Sequence, residues 1–499
     1  MCRPITSPML VLQLEKFVFL EEILNRIFLR LLVLFGGLLS GLLSSISEKL
    51  NFLPIPLLAA FAYVGIIFFQ LVRLKKKIET RNFRSSELVL WETIKFCLEI
   101  WVFLVFSEIG NSDLINPLPL EWKGMATVMQ FFHYIVDLLL IVVSAHSLTG
   151  WGPDMGLLTP PGRWIGGVFP CFVGMAFLVW LVTRGQAKIR KNKLNDLQPP
   201  NNEAWTTFWV AAGLCILWAV LFKVFGMSSW AASFANAVWT VGNCGFVYEP
   251  GQAIAEMRDK PLLGLVWSFG LIVGTLGVPV LLWLAKKVFK FEVPENMVAP
   301  LYLVRFVAWC TVIGNLVGWI LLMISGLNPL EAWLTFASDH TGGFMFVPDY
   351  TKLPNLAHWI LILGMAWGTE PGSYGGGGKY PAWVTIFGGA KIFPFLAETK
   401  RESRNQLLTF FGTTLASWLL AWALVPELGW FNWLHDTFSW VTNTGYMLID
   451  YSRLSTGHGL VVKFIVIIGM LIGKWGFLNF ICALSQKNED SNPNAGRVS

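Results

Sequence analysis

The sequence predicts an all-α integral membrane protein: four pseudo-repeated span–pore loop–span units around one pore, preceded by two N-terminal transmembrane helices. Three observations predict it. Hydrophobic residues make up 55% of the 499 residues and charged residues only 14%, against about 25% charged in soluble domains. Lipid must then replace water over much of the surface. Apolar segments of the roughly 20 residues needed to cross a bilayer recur along the chain. Between them, four shorter apolar stretches end at Gly150, Gly245, Gly343 and Gly445.

The apolar segments fall at roughly 28–46, 53–73, 87–107, 164–183, 205–226, 261–286, 300–324, 354–368 with a continuation to about 390, 406–425 and 457–483. These count as about ten spans. The half-length helical patterns fall at roughly 133–147, 229–241, 329–339 and 431–441. After residue 87 the chain therefore reads as span, half-helix, glycine turn, span, four times over, which is an internal repeat. The expected organisation is a cytoplasmic N-terminus (1–27), two leader helices with a basic loop (28–86), repeat 1 (87–194), repeat 2 (195–290), repeat 3 with an intramembrane loop (291–404), repeat 4 (405–485) and a polar tail (486–499).

Charge placement orients these elements. Stretches 73–84, 184–194, 286–290 and 399–404 are rich in Lys and Arg and belong on the cytoplasmic side. Stretches 108–123, 246–260, 344–353 and 446–456 carry Glu108, Asp113, Glu249, Asp349 and Asp450 and belong outside. Both termini then face the cytoplasm, and all four loops enter from the outside. The net charge of +6 is spread through short loops, with no recognition module for nucleic acid. Seven cysteines (Cys2, Cys97, Cys171, Cys215, Cys244, Cys310 and Cys482) show neither disulfide nor zinc spacing. No cleavable signal peptide is evident before the first apolar run, which reads as an anchor. The tail after Gln486 reads as disordered, so a regulator is expected on another chain.

Irregular backbone at membrane depth is tolerated only where it is buried in protein or lines a wet cavity. The four loops read Ser147-Leu148-Thr149-Gly150, Gly242-Asn243-Cys244-Gly245-Phe246, His340-Thr341-Gly342-Gly343-Phe344 and Thr442-Asn443-Thr444-Gly445-Tyr446. An ordinary tight turn explains any one of them; four at the same place in four repeats point to a shared pore. A dehydrated cation must be wrapped by carbonyl oxygens, and aiming successive carbonyls inward needs dihedrals that glycine accepts. Thr149, Asn243, Cys244, Thr341, Gly342, Asn443 and Thr444 complete the candidate filter beside the four glycines. The aromatic that follows is expected to wedge the loop against the next helix. Each half-helix also points its negative end at the ion. His340 could tune the outer mouth, and Asp339 could concentrate cations or stand as a solvated loop carboxylate. The other histidines show no metal spacing.

Two further motifs stand out. Gly368-Thr369-Glu370-Pro371-Gly372-Ser373-Tyr374-Gly375-Gly376-Gly377-Gly378-Lys379 cannot continue a helix through lipid. It reads as a mobile intramembrane gate comprising Gly372 to Lys379. A Walker loop fails on detail, because Ser373 stands at the earlier glycine and Tyr380 replaces the magnesium-binding hydroxyl. In Gly473-Lys474-Trp475-Gly476, Lys474 lies within a span, where lysine by default marks function. It faces the pore and pairs with the gate, or it snorkels to the cytoplasmic end.

These motifs resemble the superfamily of K⁺ transporters comprising TrkH, KtrB and HKT, over roughly 87–483. Gly372-Ser373-Tyr374-Gly375-Gly376-Gly377-Gly378-Lys379 is similar to the family's G-S-T-[AG]-[SG]-G-x-K loop. Asn243-Cys244-Gly245-Phe246 resembles N-x-G-F, and His340-Thr341-Gly342-Gly343-Phe344 resembles R-T-A-G-F. Thr442-Asn443-Thr444-Gly445 resembles the fourth filter, and Gly473-Lys474-Trp475-Gly476 resembles G-R-x-G. The chain departs at His340 and Lys474, both Arg in the family, and at Tyr374, a Thr there. The resemblance implies K⁺ uptake across the plasma (inner) membrane, K⁺ at the filter carbonyls, a homodimer in the lipid bilayer and a cytosolic nucleotide-binding regulatory subunit. Gly150 occupies the position where a Ser accompanies Na⁺ preference in plant members. No covalent chemistry, cofactor or catalytic residue is expected: no nucleophile–base pair or metal cluster for a lipid-modifying enzyme is found. The alternatives are Na⁺ or Na⁺-coupled transport, and a non-conducting membrane subunit needing a partner.

Overall fold

The computed structural model describes residues 85–109, 125–175, 203–248, 260–288, 290–291, 298–340, 342–347, 349–369, 373–374, 379–393, 400–455 and 458–475. The leader pair expected at 28–73, the basic stretch at 184–194 and the tail lie outside them. The chain divides into two compact units, Met1–Thr80 with Glu99–Trp122, and Arg81–Leu98 with Lys123–Ser499. In the first, the described residues form the C-terminal part of one helix, Glu108 among them; the candidate site lies wholly in the second.

Among the described residues every regular element is helical. The helices are α1 (Ser85–Ile109), α2 (Met125–His146), α3 (Pro160–Arg163), α4 (Phe169–Val173), α5 (Glu203–Val224), α6 (Trp230–Gly242), α7 (Pro261–Thr275), α8 (Val278–Val288), α9 (Leu301–Ile324), α10 (Pro329–Asp339), α11 (Asn355–Trp367), α12 (Tyr380–Ile386), α13 (Lys400–Leu424), α14 (Trp430–Val441) and α15 (Gly459–Trp475). A π-helical turn, Trp164–Val168, joins α3 to α4. Two described helices, Leu301–Ile324 and Ser403–Leu424, are long and apolar enough to cross a membrane. Their outward faces carry Trp309, Ile313, Ile320, Leu408, Leu415 and Leu419, apolar side chains suited to lipid.

Local chemistry sets the boundaries of the short helices. Ser229 caps α6 by accepting from Ala232 N at 3.0 Å, and Asn328 caps α10 by accepting from Glu331 N at 2.9 Å. Pro329 follows at the first helical position, where its missing N–H would have had no partner. Gly429 (φ +86°) turns the chain into α14.

The short helices pack on the long ones that precede them, α6 on α5, α10 on α9 and α14 on α13. Contacts to the following group close a circuit: α4 meets α6, α7 meets α10, α11 meets α14, and α15 returns to α2. At one crossing α9 presents Gly318 to the ring of Phe336 on α10, leaving no room for a Cβ.

The structure revises the expected spans in three places. The stretch 261–286 is not one straight helix, since the chain bends by 111° between α7 and α8. Gly277 (φ +84°) and Pro279, which lacks an N–H, make the bend. Among the described residues, the continuation from 368 to 390 forms the short α12 and then a 3-10 turn beginning at Gly389, with no long helix. Glu108, expected in an outside loop, lies on α1 and is buried.

Gly318→Ala is expected to cost about 1–3 kcal/mol by overpacking α9 against Phe336. A lowered thermal midpoint in detergent, without loss of helical circular dichroism, checks it.

Candidate functional site

Four helices, α2, α6, α10 and α14, end in the glycine loops, and three use one closing device. A helix end leaves carbonyls without intrahelical partners. In a Schellman motif two following N–H groups turn back to meet them around a residue in the left-handed region. Thr149 N reaches Ser144 O at 2.8 Å and Leu148 N reaches Ala145 O at 3.1 Å. Cys244 N and Asn243 N repeat this on Trp239 O and Thr240 O, and Thr444 N and Asn443 N on Ser439 O and Trp440 O. Leu148, Asn243 and Asn443 accordingly have φ of 61°, 53° and 56°. The third loop differs: Gly342 N and Gly343 N both meet Ser338 O, and the positive φ moves to Gly343.

The four loops meet one another. A Cβ on Gly150 would fall on the backbone of Gly245, and one on Gly245 would lie 2.9 Å from Gly342 O. One on Gly343 would strike Thr444 O and Gly445, and one on Gly445 would strike Thr149 O. The contacts run first loop to second, third, fourth and back to the first, a closed ring. Gly150, Gly343 and Gly445 have positive φ; Gly245 does not and is glycine for close approach alone. Gly245 N donates to Thr149 O at 3.2 Å, Asn443 Nδ2 to Thr149 Oγ1 at 2.8 Å, and Thr444 Oγ1 to Asp339 O at 3.4 Å.

The aromatics after the glycines are buried, and three wedge against a neighbouring unit. The Trp151 ring lies edge-on to Trp440 of α14 at 5.3 Å, and Phe344 edge-on to Trp267 of α7 at 5.1 Å. The Tyr446 hydroxyl donates to Thr335 O of α10 at 2.8 Å.

A second layer lies against this ring. Asn243 Nδ2 donates to Leu271 O on α7 at 3.2 Å, and Asn443 Nδ2 to Met470 O on α15 at 3.0 Å. Gly274 and Gly473, three residues further on, admit those asparagines without space for a Cβ. Gly274 O then accepts from Tyr374 N at 3.1 Å, while Lys474, next to Gly473, donates its ammonium to Tyr374 O. The buried Lys474 therefore does not snorkel. Lys379 Nζ and Ser373 Oγ both donate to Thr369 Oγ1, at 3.1 and 2.8 Å.

Of the residues singled out from sequence, the structure brings together Thr149, Gly150, Asn243, Cys244, Gly245, Gly342, Gly343, Asn443, Thr444 and Gly445. It places Ser373, Tyr374, Lys379 and Lys474 beside them. Thr341, Gly372, Gly375, Gly376, Gly377 and Gly378 lie outside the described residues. One expectation is corrected. Asp339 is not a solvated loop carboxylate but the fully buried last residue of α10, against Gly364 of α11. His340 is buried too, its ring edge-on to Phe336 at 5.0 Å.

Sequence reasoning missed two polar clusters. Lys463 of α15 pairs with Asp137 of α2 at 2.6 Å, and Tyr451 donates to the same carboxylate oxygen at 2.5 Å. A second lysine inside the last span was the available signal. Tyr350, His435 and Asp436 form the other cluster, at the third and fourth loops. Outside the helices, Asp349 caps the turn that carries Tyr350. The Lys352 ammonium, 2.8 Å away, and the Thr351 hydroxyl hold the Asp349 carboxyl down at about 2.

These features define an all-helical membrane protein in which four glycine loops converge. It shares its fold with the potassium transporter TrkH from Vibrio parahaemolyticus, whose crystal structure matches with a TM-score of 0.61 and 17% sequence identity, over 92% of this chain and 98% of that chain. No family model and no curated protein matches the chain.

Asn443→Ala is expected to destabilise in two ways. It removes two buried hydrogen bonds, about 0.5–1.5 kcal/mol each, and puts alanine in the left-handed region, roughly 1–2 kcal/mol. Asn443→Gly recovers only the second, so its thermal midpoint in detergent falls between alanine and parent.

Proposed function

We propose that the chain conducts monovalent cations, K⁺ foremost, through a pore whose selectivity filter is the ring of four glycine loops. The observation that carries this reading is the closure of that ring, with backbone carbonyls of Thr149, Gly342 and Thr444 crowded against the preceding loop's glycine. A ring of backbone carbonyls is what replaces a cation's water. The helix ends of α2, α6, α10 and α14 add negative partial charge there.

Four units of span, half-helix, loop and span, with the boundaries expected from sequence, then surround one pore. The membrane potential drives uptake, worth about 2.3 kcal/mol per charge per 100 mV. The segment at Ser373 and Tyr374 is the gate. Lys474 holds it by the Tyr374 carbonyl and sets a positive barrier beneath the filter. The likeness to a potassium transporter supports K⁺ over Na⁺. A plasma-membrane setting with both termini cytoplasmic, a homodimer and a cytosolic nucleotide-binding partner belong to the same reading, from the charge placement and the family resemblance of the sequence.

Ion flux into liposomes holding the purified protein tests the reading, under K⁺ or Na⁺ gradients. K⁺ flux in the parent that falls or loses selectivity in Gly343→Ser is expected; no flux of either ion from the parent would sink it. Lys474→Met, which frees the gate, is expected to raise K⁺ flux severalfold in the same assay. Unchanged flux would remove Lys474 from the gate.

A further inference from the structure

We propose that Tyr350, His435 and Asp436 are positioning residues that lock the third and fourth loops at one spacing and so set the discrimination between K⁺ and the smaller Na⁺. The proposal rests on the reading of the loops as a filter and deepens it.

The argument starts from how each loop leaves the ring. Asp436 lies on α14, nine residues before Gly445, and its carboxylate accepts from Leu448 N at 2.7 Å and Ile449 N at 3.2 Å. Asn236 holds the same place on α6, nine residues before Gly245, and accepts from Tyr248 N at 3.2 Å. Both residues pin the chain twelve residues downstream, so the exits of the second and fourth loops are held from within their own units. On α10 the matching place, nine residues before Gly343, is Leu334, which has no acceptor to offer.

The third exit is held from the fourth unit instead. The Tyr350 hydroxyl lies 2.8 Å from His435 Nε2, and His435 Nδ1 lies 3.0 Å from Asp436 Oδ1. The neutral tautomer that serves both contacts carries its proton on Nδ1, donating to the carboxylate and accepting from the tyrosine. The Tyr350 ring also stacks on Tyr446 at 4.7 Å and 17°, while Tyr446 reaches back to Thr335 O on α10. Each loop's tyrosine thus bonds the other unit's half-helix. Tyr350, His435, Asp436 and Tyr446 are all buried, and His358 of α11 closes the cluster with its ring 5.4 Å from His435.

A brace of this kind resists separation of the two loops. K⁺ and Na⁺ differ chiefly in radius, so a filter that relaxes around the smaller ion loses its preference. Breaking one bond of the brace lets the third and fourth loops move by the small distances that matter.

The test uses the full chain in liposomes, comparing the parent, Gly343→Ser, Tyr350→Phe, His435→Gln and the double variant Tyr350→Phe/His435→Gln. The readout is the K⁺-to-Na⁺ permeability ratio from zero-current potentials. A fraction of misfolded protein lowers both fluxes together and leaves that ratio unmoved. Tyr350→Phe removes one hydroxyl and is expected to lower the ratio about threefold to tenfold, the span of one buried hydrogen bond, while K⁺ flux persists. The double variant is expected to lose little more, because both changes break the same bond. A parent that conducts selectively and a Gly343→Ser that does not, with Tyr350→Phe and His435→Gln at the parental ratio, would overturn this proposal alone. A parent without flux would overturn the filter reading and this proposal with it.

Discussion

A backbone N–H or C=O inside a membrane must find its partner within the protein, because no water is there to supply one. The four glycine loops break their helices under that constraint and depend on one another to satisfy it. Thr149 shows the dependence most directly. Its carbonyl accepts from Gly245 N of the second loop, and its hydroxyl accepts from Asn443 of the fourth. Remove any loop and its neighbours keep polar groups with nowhere to turn. The ring is therefore a joint solution, which also explains why helix packing runs α4 to α6, α7 to α10, α11 to α14 and α15 to α2.

The same constraint accounts for residue types that look arbitrary one at a time. A helix end that must stop abruptly and bury its carbonyls favours a left-handed residue. Asparagine tolerates that region and brings an amide besides. Asn243 and Asn443 use the amide on Leu271 O and Met470 O. Glycines at 274 and 473 follow, because no Cβ fits where the asparagine and the carbonyl two residues before it press on α7 and α15. Leu148 holds the same backbone in the first loop without an amide, and the neighbouring Thr149 is reached by Asn443 instead.

Much of this was legible in the sequence, and the limits have physical causes. A half-length apolar helix followed by glycine cannot cross lipid, so α6, α10 and α14 and the glycines after them could be read from length; α2, 22 residues long, starts well before the 133–147 expected for it. Residues 261–286 could not, because an apolar run looks the same straight or bent, and Gly277 with Pro279 resembles the glycines and prolines tolerated inside spans. Asp339 looked like a solvated carboxylate because sequence shows no depth. His435 and Asp436 were passed over for a related reason. Their partners lie 12 or more residues away or in another unit, as Leu448 and Tyr350 do, and no spacing rule within one helix announces such a pairing.

The asparagines also decide how far the ring's geometry is felt. From Asn443 the path runs through Gly473 to Lys474 and the carbonyl of Tyr374; from Asn243 it runs through Gly274 to the N–H of the same tyrosine. The two backbone groups of one residue, Tyr374, are thus tied to two different loops of the ring. A turn held at both ends in this way cannot swing without releasing α7 or α15 from its carbonyl or N–H. In the pore reading, opening beneath the filter breaks the Lys474 contact or the one to Gly274. A lysine at 474 releases the Tyr374 carbonyl more easily than an arginine would. An ammonium is a point charge with no planar fork to share between two acceptors, so a single carbonyl suffices to hold it and a single carbonyl must be lost to let it go.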